Sequence, residues 1–313
     1  MNNKIDIVVT YLDQNDIKWQ KEYNKYKKIE DGNNSNTKRQ SFGKERYRDW
    51  GTLKYWFRCV ENNCKWVNKV FLIVAYESQI PKWLNTNNPK LRIVYHNEFI
   101  PKELLPTFNS NTIELFIPKI RDLSNNYILC CDDFYFISPI KNNFFFKDNI
   151  PVNSCKKNSY LMYDTNGLSG DYYCMLNNDI EIIRDYSGNV DYRYSLVHLP
   201  VSKSKSNELE ILNKYYNKIT NSLITSKFRN KTNYTRGIYE DSLKFLNKVV
   251  VNNEMYNNSK YITLKSNVDY NTLYSLDMIC LNDTEQLDNF EITKKNQIDF
   301  FEYKFPNKSE YEN

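Results

Sequence analysis

A pair of adjacent carboxylates, Asp132 and Asp133, directly follows the apolar run YILCC at positions 127–131. Two carboxylates at the end of a buried strand suit a hard divalent cation such as Mg²⁺, which takes a few carboxylates together with phosphate oxygens of a substrate. A solvated turn with an aspartate capping the next helix explains the pair equally well. On its own, the pair leaves a metal site and a helix cap as open alternatives.

Asp13 and Asp16 repeat this arrangement after the β-branched run IDIVVTYL at positions 5–12. The loop that follows the first strand of a parallel α/β sheet usually meets a nucleotide. An acidic residue at the start of a helix is also common for structural reasons, because it complements the helix dipole. Taken alone, these two residues favour the structural interpretation.

Other side chains could take part in a transfer reaction as a base or as anion-binding groups. Histidine titrates near neutrality and is the commonest general base, so His198, in LVHLP, is a candidate, although a lone histidine is more often structural. We interpret His96, just past a strand-like run, as structural or as a minor site contact. Arg229 could pair with a phosphate, although most arginines are solvated. The segment LPTFNSN at 105–111 could hold an anion or sugar hydroxyls at a helix start, or form an ordinary cap.

The spacing of apolar residues along the chain predicts the strands and helices that position these side chains. Strand-like runs alternate with helical spacing through the first half of the chain, which indicates an α/β fold with a mostly parallel, Rossmann-like sheet and helices on both faces. Ligands bind such sheets at the carboxyl ends of the strands, where both acidic clusters lie. Strands are predicted at 5–12, 70–76, 91–95, 127–131 and 275–281, and helices after 16 and at 48–62, 112–119, 207–218, 239–249 and 292–303. Residues 30–44 are predicted as a loop, and 151–205 as irregular.

Composition excludes several classes of protein. The 313 residues are 41% hydrophobic and 15% aromatic, which is enough for a large core and rules out a disordered chain. Seven glycines provide neither a G-x-G-x-x-G fingerprint nor a P-loop, and two histidines exclude a multi-histidine zinc site. No apolar run approaches the ~18 residues of a membrane span. The net charge of +5 is spread along the chain without a basic block, which argues against nucleic acid as a partner. A loose attraction to an anionic membrane surface stays open.

Other features bear on the compartment and on sugar binding. The seven cysteines form no C-x-x-C pair and the chain starts directly in a strand-like run, so we expect no signal peptide and a cytoplasmic, reducing location, peripheral at most to the inner face of the membrane. The 26 tyrosines are spread along the chain, so most are expected in the core and its rim rather than in a lectin-like repeat.

Four blocks of this sequence resemble, in order, the Stealth family of sugar-phosphate transferases, which includes bacterial capsule and cell-wall polysaccharide phosphotransferases and the enzyme that adds GlcNAc-1-phosphate to lysosomal glycoproteins. The blocks are IDIVVTYLD at 5–13 with Asp16 and Trp19; RYRD at 46–49, LKY at 53–55, PKWL at 81–84, LPTFNS at 105–110 and DDFYF at 132–136; HLP at 198–200 with FR at 228–229; and CLND at 280–283 with FE at 301–302, FP at 305–306, Ser309, Tyr311 and Glu312. Leu12 and Gln14 depart from the family's Trp-Val-Asp-Gly surroundings, and Trp50-Gly51 replaces a polar pair.

The resemblance implies how the chain is organised. It predicts a single catalytic domain over 1–313. Within it, a nucleotide-sugar-binding α/β core of the GT-A kind occupies 1–150, an inserted acceptor and catalytic subregion that carries His198 and Arg229 occupies 151–270, and residues 271–313 return to the core.

The resemblance also implies a reaction. A UDP-sugar is the donor, and a hydroxyl of a glycan acceptor, which can be lipid-linked, attacks the sugar-linked β-phosphorus, so that UMP leaves and a sugar-1-phosphate diester forms in a bacterial capsule or surface polysaccharide. Such phosphoryl transfer needs positioning, charge neutralisation and a base.

By matching position, His198 is the implied general base, Asp132 and Asp133 hold Mg²⁺ or Mn²⁺, and Arg229 stabilises phosphate charge. Asp133 also counts among the catalytic groups. The implied substrate-binding residues are Asp13, Asp16, Asp49, Asn109, Asn282 and Asp283. Two alternatives stay open: a metal-dependent GT-A glycosyltransferase that releases UDP, and a non-catalytic glycan-binding protein.

Overall fold

The computed structural model describes residues 4–33, 40–154, 157–158, 161–166, 170–188, 190–194 and 198–313. Its centre is a five-stranded sheet with strand order β10-β4-β1-β2-β3, in which the last four are parallel and β10 is antiparallel to β4. The strands of this sheet are β1 Ile5–Thr10, β2 Val70–Val74, β3 Leu91–Tyr95, β4 Asn126–Cys131 and β10 Val201–Ser204. The predicted α/β class with a mostly parallel sheet is confirmed.

Helices cover both faces of this sheet. They are α1 Ile17–Asn33, α2 Leu53–Asn63, α3 Ser110–Phe116, α4 Gly170–Ser187, α5 Lys205–Lys214, α6 Tyr216–Ile224, α7 Gly237–Phe245 and α8 Phe290–Lys304. Successive residues of a strand point to opposite faces, so the central strands supply two separate cores. Ile7 and Leu72 pack in the core that contains α2 and α8, whereas Val8 and Phe71 pack in the core that contains α3, α5 and α7.

Among the described residues, three smaller sheets extend the fold beyond the central one. In the first, β13 pairs parallel with β12 and antiparallel with β5, and β5 begins right after the turn that ends β4. The other two have the orders β11-β7-β6 and β8-β9. The strands of these sheets are β5 Phe134–Phe136, β6 Phe146–Lys147, β7 Ile150–Asn153, β8 Lys157–Asn158, β9 Arg193–Tyr194, β11 Val250–Val251, β12 Ser259–Thr263 and β13 Met278–Asn282.

The largest difference from the sequence-based expectation lies in 151–205, which was predicted to be irregular. Its described residues include the 18-residue helix α4 and the sheet strand β10. The buried positions of α4 follow helical spacing only from Met175 onward, because its first turn is Tyr-rich and polar. The helix packs on α7, far along the chain, so its apolar face is completed by a contact that a local pattern does not reveal.

Several predicted boundaries also move for local reasons. The helix predicted at 48–62 starts at Leu53, because the Oδ1 atom of Asp49 accepts the N–H of Gly51 and Gly51 takes a φ of +71°, a left-handed conformation that favours glycine. The helix predicted at 112–119 covers 110–116 and ends in a 3₁₀ turn that contains Pro118. The predicted helix at 207–218 is divided into α5 and α6 at Tyr215. Of the loop predicted at 30–44, residues up to 33 belong to α1, and 34–39 lie outside the described residues.

The division of the chain at 150 and 270 stays a prediction. The stretch 151–270 contributes β10 to the central sheet, so it is built into the same layer as the first 150 residues. Within the described part of the chain, none of the helices combines the length and the apolar character that crossing a bilayer requires.

Candidate active site

A cavity of about 460 Å³ opens at the carboxyl edge of the central sheet. The loops after β1, β2, β3 and β4 reach it, together with the loop after β13 and the segment that precedes α2. The sequence-predicted residues that line it are Asp49, Asp132, Asp133, His198, Arg229, Asn282 and Asp283. Residues more than 230 positions apart in the sequence therefore meet in one site, at the edge where open α/β sheets bind ligands.

The direction of β10 places His198 in this cavity. Because β10 runs antiparallel to β4, with Val201 opposite Leu129, the residues just before β10 lie beside the residues just after β4. His198 Nε2 accordingly lies 3.8 Å from Asp133 Oδ2. The imidazole packs edge-on against Phe134 and Tyr261, with ring centroids 5.0 and 5.5 Å apart, and 45% of its side chain stays exposed. The ring is thus held by aromatic walls with one nitrogen toward a carboxylate.

The two aspartates after β4 occupy different surroundings. Burial, the neighbouring charge of Asp133 and then that of Asp49 raise the pKa of Asp132 to about 8. Asp132 keeps access to solvent through the cavity, although protein atoms surround it on the other sides. Asp133 is held from the β13 side, where its carbonyl accepts the N–H of Leu281 at 2.9 Å and its Oδ2 lies 3.5 Å from the Sγ of Cys280. The thiol of Cys280 is buried, and its pKa lies far above the usual range.

This donor set fits a divalent cation. Among the described residues, the buried Oδ1 of Asp133 has no hydrogen-bond partner. Because burial, and then the charge of Asp133, raise the pKa of Asp132, a bound cation would stabilise the ionised form of this carboxylate. Oxygen ligands of this kind suit Mg²⁺ or Mn²⁺. Asp133, His198 and Cys280 also place one potential ligand atom each within 4.8 Å of one another.

Asp49 forms the wall opposite β4. Its Oδ2 accepts the hydroxyl of Tyr11 at 3.2 Å, and its Oδ1 is used by the backbone of Gly51. Burial raises the pKa of Asp49. Burial and the charges of Asp49 and Asp13 in turn raise the pKa of Tyr11, so the tyrosine stays protonated and donates to the carboxylate. The wall therefore offers a fixed, partly desolvated carboxylate next to Asp132.

Arginines supply the positive charge of the cavity. Arg229 donates from Nη2 to the hydroxyl of Ser110, and its loop is fixed by Phe228, which is fully buried and stacks on Phe108 with ring centroids 5.0 Å apart. Burial, and then the nearby charge of Arg229, lower the pKa of Arg46. Two guanidinium groups in one cavity are suited to bind an anion, although Glu45 lies 3.8 Å from Arg46 and offsets part of the charge.

The end of β13 is tied to the segment before α2. Arg48 Nη1 donates to Asp283 Oδ1 at 2.9 Å, and its guanidinium lies over the rings of Trp50 and Phe290. Burial raises the pKa of Asp283 to about 6, although the charge of Arg48 opposes this. Asn282 donates from Nδ2 to the carbonyl of Asp283 at 2.7 Å. These contacts orient both side chains at the rim of the cavity.

Three of the predicted site residues do not line the cavity. Asp16 precedes α1, and its Oδ1 accepts the N–H of Trp19 at 2.6 Å, which is the position of a helix cap. Asp13 accepts the N–H of Asn15 in its own loop and acts on the cavity through its charge near Tyr11. Asn109 is fully buried, caps α3 through the N–H of Asn111 and donates to Asn233. Their roles in donor binding stay predictions.

The structure also brings residues to the site that had no assigned role. Arg46, Tyr47 and Arg48 belong to the family block RYRD, from which the sequence analysis predicts a role only for Asp49. Arg236 belongs to none of the blocks. Arg236 is buried in the cavity wall between Glu114, at 3.0 Å, and Glu240, at 2.9 Å. Glu240 follows Arg236 by four residues, which is a local signal, whereas Glu114 lies on α3 and has none. His96 also lines the cavity, and burial lowers its pKa to about 4.

Comparisons with known proteins found similar sequences along the whole chain. Residues 46–154 match the family model described as Stealth protein CR2, conserved region 2. The chain is 34% identical to the capsular polysaccharide phosphotransferase WcwK of Streptococcus pneumoniae, over 99% of this chain and 98% of that protein. It is 46% identical to the capsular polysaccharide phosphotransferase eps5J of Streptococcus thermophilus, over 47% of this chain and 59% of that protein. A crystal structure of the galactosyltransferase LgtC with donor and acceptor sugar analogues aligns with 97% of this chain and 98% of its own, at 8% identity and a TM-score of 0.39.

Proposed function

This chain belongs to the Stealth family, and from that premise we propose that it transfers a sugar 1-phosphate from a UDP-sugar to a hydroxyl of a glycan, in the synthesis of a bacterial capsule or another surface polysaccharide. One observation carries the proposal. The imidazole of His198, 3.8 Å from Asp133, shares a cavity with the guanidinium groups of Arg229 and Arg46. A base and an anion-binding site in one cavity are what transfer from a diphosphate requires.

His198 acts on the acceptor. As the acceptor oxygen forms its bond to the β-phosphorus, Nε2 of His198 takes the hydroxyl proton. The bond between this phosphorus and the bridging oxygen breaks, and its electron pair leaves with UMP. The imidazolium that results is stabilised by Asp133 at 3.8 Å, and Phe134 and Tyr261 keep the ring in place during the transfer.

Arg229 and Arg46 hold the diphosphate. Their positive charges lie in the same cavity, and Ser110 fixes the side chain of Arg229, so the phosphate oxygens meet pre-oriented donors. Asp132 and Asp133 are the residues that would hold Mg²⁺ or Mn²⁺, which would neutralise charge on the diphosphate when bound. The carboxylates at the rim, Asp49 and Asp283, are placed to accept hydroxyls of the ribose or the sugar.

The cysteines support a cytoplasmic location, where we place the reaction, peripheral at most to the inner face of the membrane. All six cysteines among the described residues are free thiols, and Cys155 lies outside them. Free thiols in this number are typical of a reducing compartment.

The released nucleotide tests this function. The protein is incubated with UDP-hexoses and UDP-N-acetylhexosamines, Mg²⁺ and glycan acceptors, and the nucleotides are separated. We expect acceptor-dependent release of UMP. Release of UDP would identify a glycosyltransferase that attacks the anomeric carbon, and a protein that consumes no nucleotide sugar would be a glycan-binding protein; either result would contradict the proposal.

A further inference from the structure

A second depression lies beside α8, apart from the active-site cavity. It has a volume of about 1,040 Å³, and it is bordered by residues 268–274 and by the C-terminal half of α8. We call it the α8 groove. None of its lining residues is shared with the active-site cavity. Its volume lies at the upper end of the roughly 300–1,000 Å³ that is usual for ligand pockets, so it suits a ligand of several rings.

The floor of the α8 groove is aromatic. Tyr274 packs against Phe300, with ring centroids 5.0 Å apart, and Tyr303 meets Tyr274 at 5.4 Å and an interplanar angle of 64°. Tyr270 packs against Phe300 from the other side. Tyr303 is 77% exposed, so the aromatic cluster continues from the core to an uncovered ring at the surface. An aromatic face that stays in water gains free energy when an amphipathic ligand covers it.

Polar groups surround this floor. Asn271, Asn296 and Asp299 line the α8 groove and supply carboxamide and carboxylate groups. The hydroxyl of Tyr270 is buried without a hydrogen-bond partner among the described residues. An aromatic floor with such a rim matches a sugar ring, which presents apolar C–H groups on its faces and hydroxyls around its edge.

The charge of the α8 groove selects the type of ligand. The carboxylate of Asp299 is paired with Lys295 at 2.5 Å. The lining also holds Asp269, which accepts the N–H of Asn271, and Lys304, which donates to the carbonyl of Tyr274 at 3.0 Å. A phosphate-rich polymer or an anionic lipid surface requires a concentration of positive charge, which this lining lacks. The lining therefore favours a neutral ligand over an anionic one.

The α8 groove is also adjacent to the proposed reaction. Gln297, which is 1% exposed, lines the active-site cavity, whereas Phe300, three residues later, lines the α8 groove. The two sites are therefore separated by less than one turn of a single helix. A glycan chain that lies in the α8 groove and a donor in the active-site cavity would therefore contact the same helix.

We propose that the α8 groove binds a neutral stretch of the glycan acceptor and retains the polymer next to the active site. The choice of a glycan as occupant rests on the proposed function, because the acceptor of that reaction presents neutral sugar units next to the hydroxyl that is modified. Tyr303 is the stacking platform, and the polar rim binds the sugar hydroxyls.

Affinity electrophoresis tests this binding without any reaction. The protein is run through native gels that contain dextran, a neutral galactan, a mannan or, as the charged comparison, polygalacturonate. We expect at least one neutral polysaccharide to retard the wild-type protein, and Tyr303→Ala to raise the apparent dissociation constant about fivefold or more through the loss of one aromatic contact.

Two matched variants serve as controls. Tyr303→Phe keeps the ring and should be retarded like the wild type, as should Ile292→Ala, which changes an exposed residue of α8 outside the lining. No retardation in any neutral gel, retardation by polygalacturonate alone, or equal retardation of Tyr303→Ala and the wild type would each overturn the proposal. Release of UMP is measured on the same samples, so a protein that binds neutral glycan without turnover contradicts the proposed function and leaves the α8 groove standing.

Discussion

At the scale of single residues, the two histidines of this chain show how surroundings determine function. Both line the active-site cavity, yet burial lowers the pKa of His96 to about 4, so its imidazole stays neutral and is a weak base. His198 is partly exposed, faces Asp133 and is positioned by aromatic rings. An imidazole near a carboxylate is stabilised in the protonated form, which a general base must reach during the reaction.

We expect His198→Ala to lower kcat by about 10²- to 10⁴-fold, the usual contribution of a positioned base. His96→Asn is the matched change at the other histidine and should leave kcat within about tenfold of the wild type. Initial rates of UMP release at saturating donor and acceptor measure both. Near-normal turnover of His198→Ala would remove His198 from the mechanism.

The pKa of Asp132 predicts a dependence of stability on pH. Its folded value of about 8 lies above the unfolded value near 4, so between these values the folded protein holds a proton that the unfolded chain has released. The free energy of unfolding contributed by this group is therefore full below pH 4 and falls as the pH rises toward 8. Urea unfolding in EDTA at pH 5 and pH 8 should show a larger loss for the wild type than for Asp132→Asn.

Divalent cations should reverse this loss. Mg²⁺ binds the ionised form of the carboxylates, so we expect it to stabilise the wild type more at pH 8 than at pH 5, and to stabilise Asp132→Asn less. Identical pH profiles of the two proteins, or equal effects of Mg²⁺ on both, would contradict the assignment of Asp132 to the cation site.

The sequence predicts part of this site and misses the rest for a physical reason. Asp132 and Asp133 could be identified because they end an apolar strand, and the resemblance to a family supplied the roles of His198 and Arg229. Arg236 was missed, because one of its partners, Glu114, reaches it only when α3 and α7 pack against the sheet. Polar residues that function through tertiary neighbours leave no periodic signal.

At the scale of elements, helix starts explain two residues that resembled binding groups. Asp16 accepts the N–H of Trp19 at the start of α1, and Asn109 caps α3. Both satisfy backbone donors that a helix leaves unpaired in its first turn. Their sequence signals are the same as those of ligand contacts, since both uses need a short polar side chain next to a helix.

Substitution of Asp16 separates the two uses. Asparagine caps helices as well as aspartate does, so Asp16→Asn should retain stability, whereas Asp16→Ala should lower the free energy of unfolding by about 0.5–2 kcal/mol. Chemical denaturation measures this, and the KM for the UDP-sugar measures any contact with the donor. If Asp16→Asn keeps its stability but raises the KM strongly, Asp16 binds the donor in addition to capping α1.

Continuous apolar runs made the parallel strands predictable, and β1, β2, β3 and β4 were placed to within one or two residues at each end. The helix α4 and the strand β10 were missed. The four residues of β10, VSKS, are all buried, yet three of them are polar, so the strand is identified by its pairing with β4 rather than by its composition. This pairing also places His198 at the end of β4.

At the scale of the whole molecule, the last residues of the chain fasten it to α2. Arg58, which is 4% exposed, donates from Nε and Nη2 to the two carboxylate oxygens of Glu312, both at 2.8 Å, and from Nη1 to the carbonyl of Phe305. Since α2 starts just after the segment that carries Asp49 into the cavity, this buried pair supports one wall of the site.

We expect Glu312→Ala to lower the free energy of unfolding by about 3 kcal/mol, because it leaves a buried guanidinium with only the more exposed Glu302, at 3.8 Å, as its counter-ion. The double change Arg58→Leu with Glu312→Leu removes both charges and should recover a substantial part of that loss. Urea unfolding curves of the three proteins measure this. A double variant less stable than Glu312→Ala would show that the pair contributes more than its charges cost to bury.

The proposed reaction breaks the bond between the β-phosphorus of the donor and the bridging oxygen. Whether the β-phosphorus ends in the glycan or in the nucleotide distinguishes this from cleavage at the anomeric carbon. The protein is given a UDP-sugar labelled with ³²P at the β-phosphate, a glycan acceptor and Mg²⁺, and the glycan is separated from the nucleotides. We predict that the label moves into the glycan with one UMP released per label transferred, and that His198→Ala loses this transfer. Label that stays in UDP while the glycan gains an unphosphorylated sugar would contradict the account.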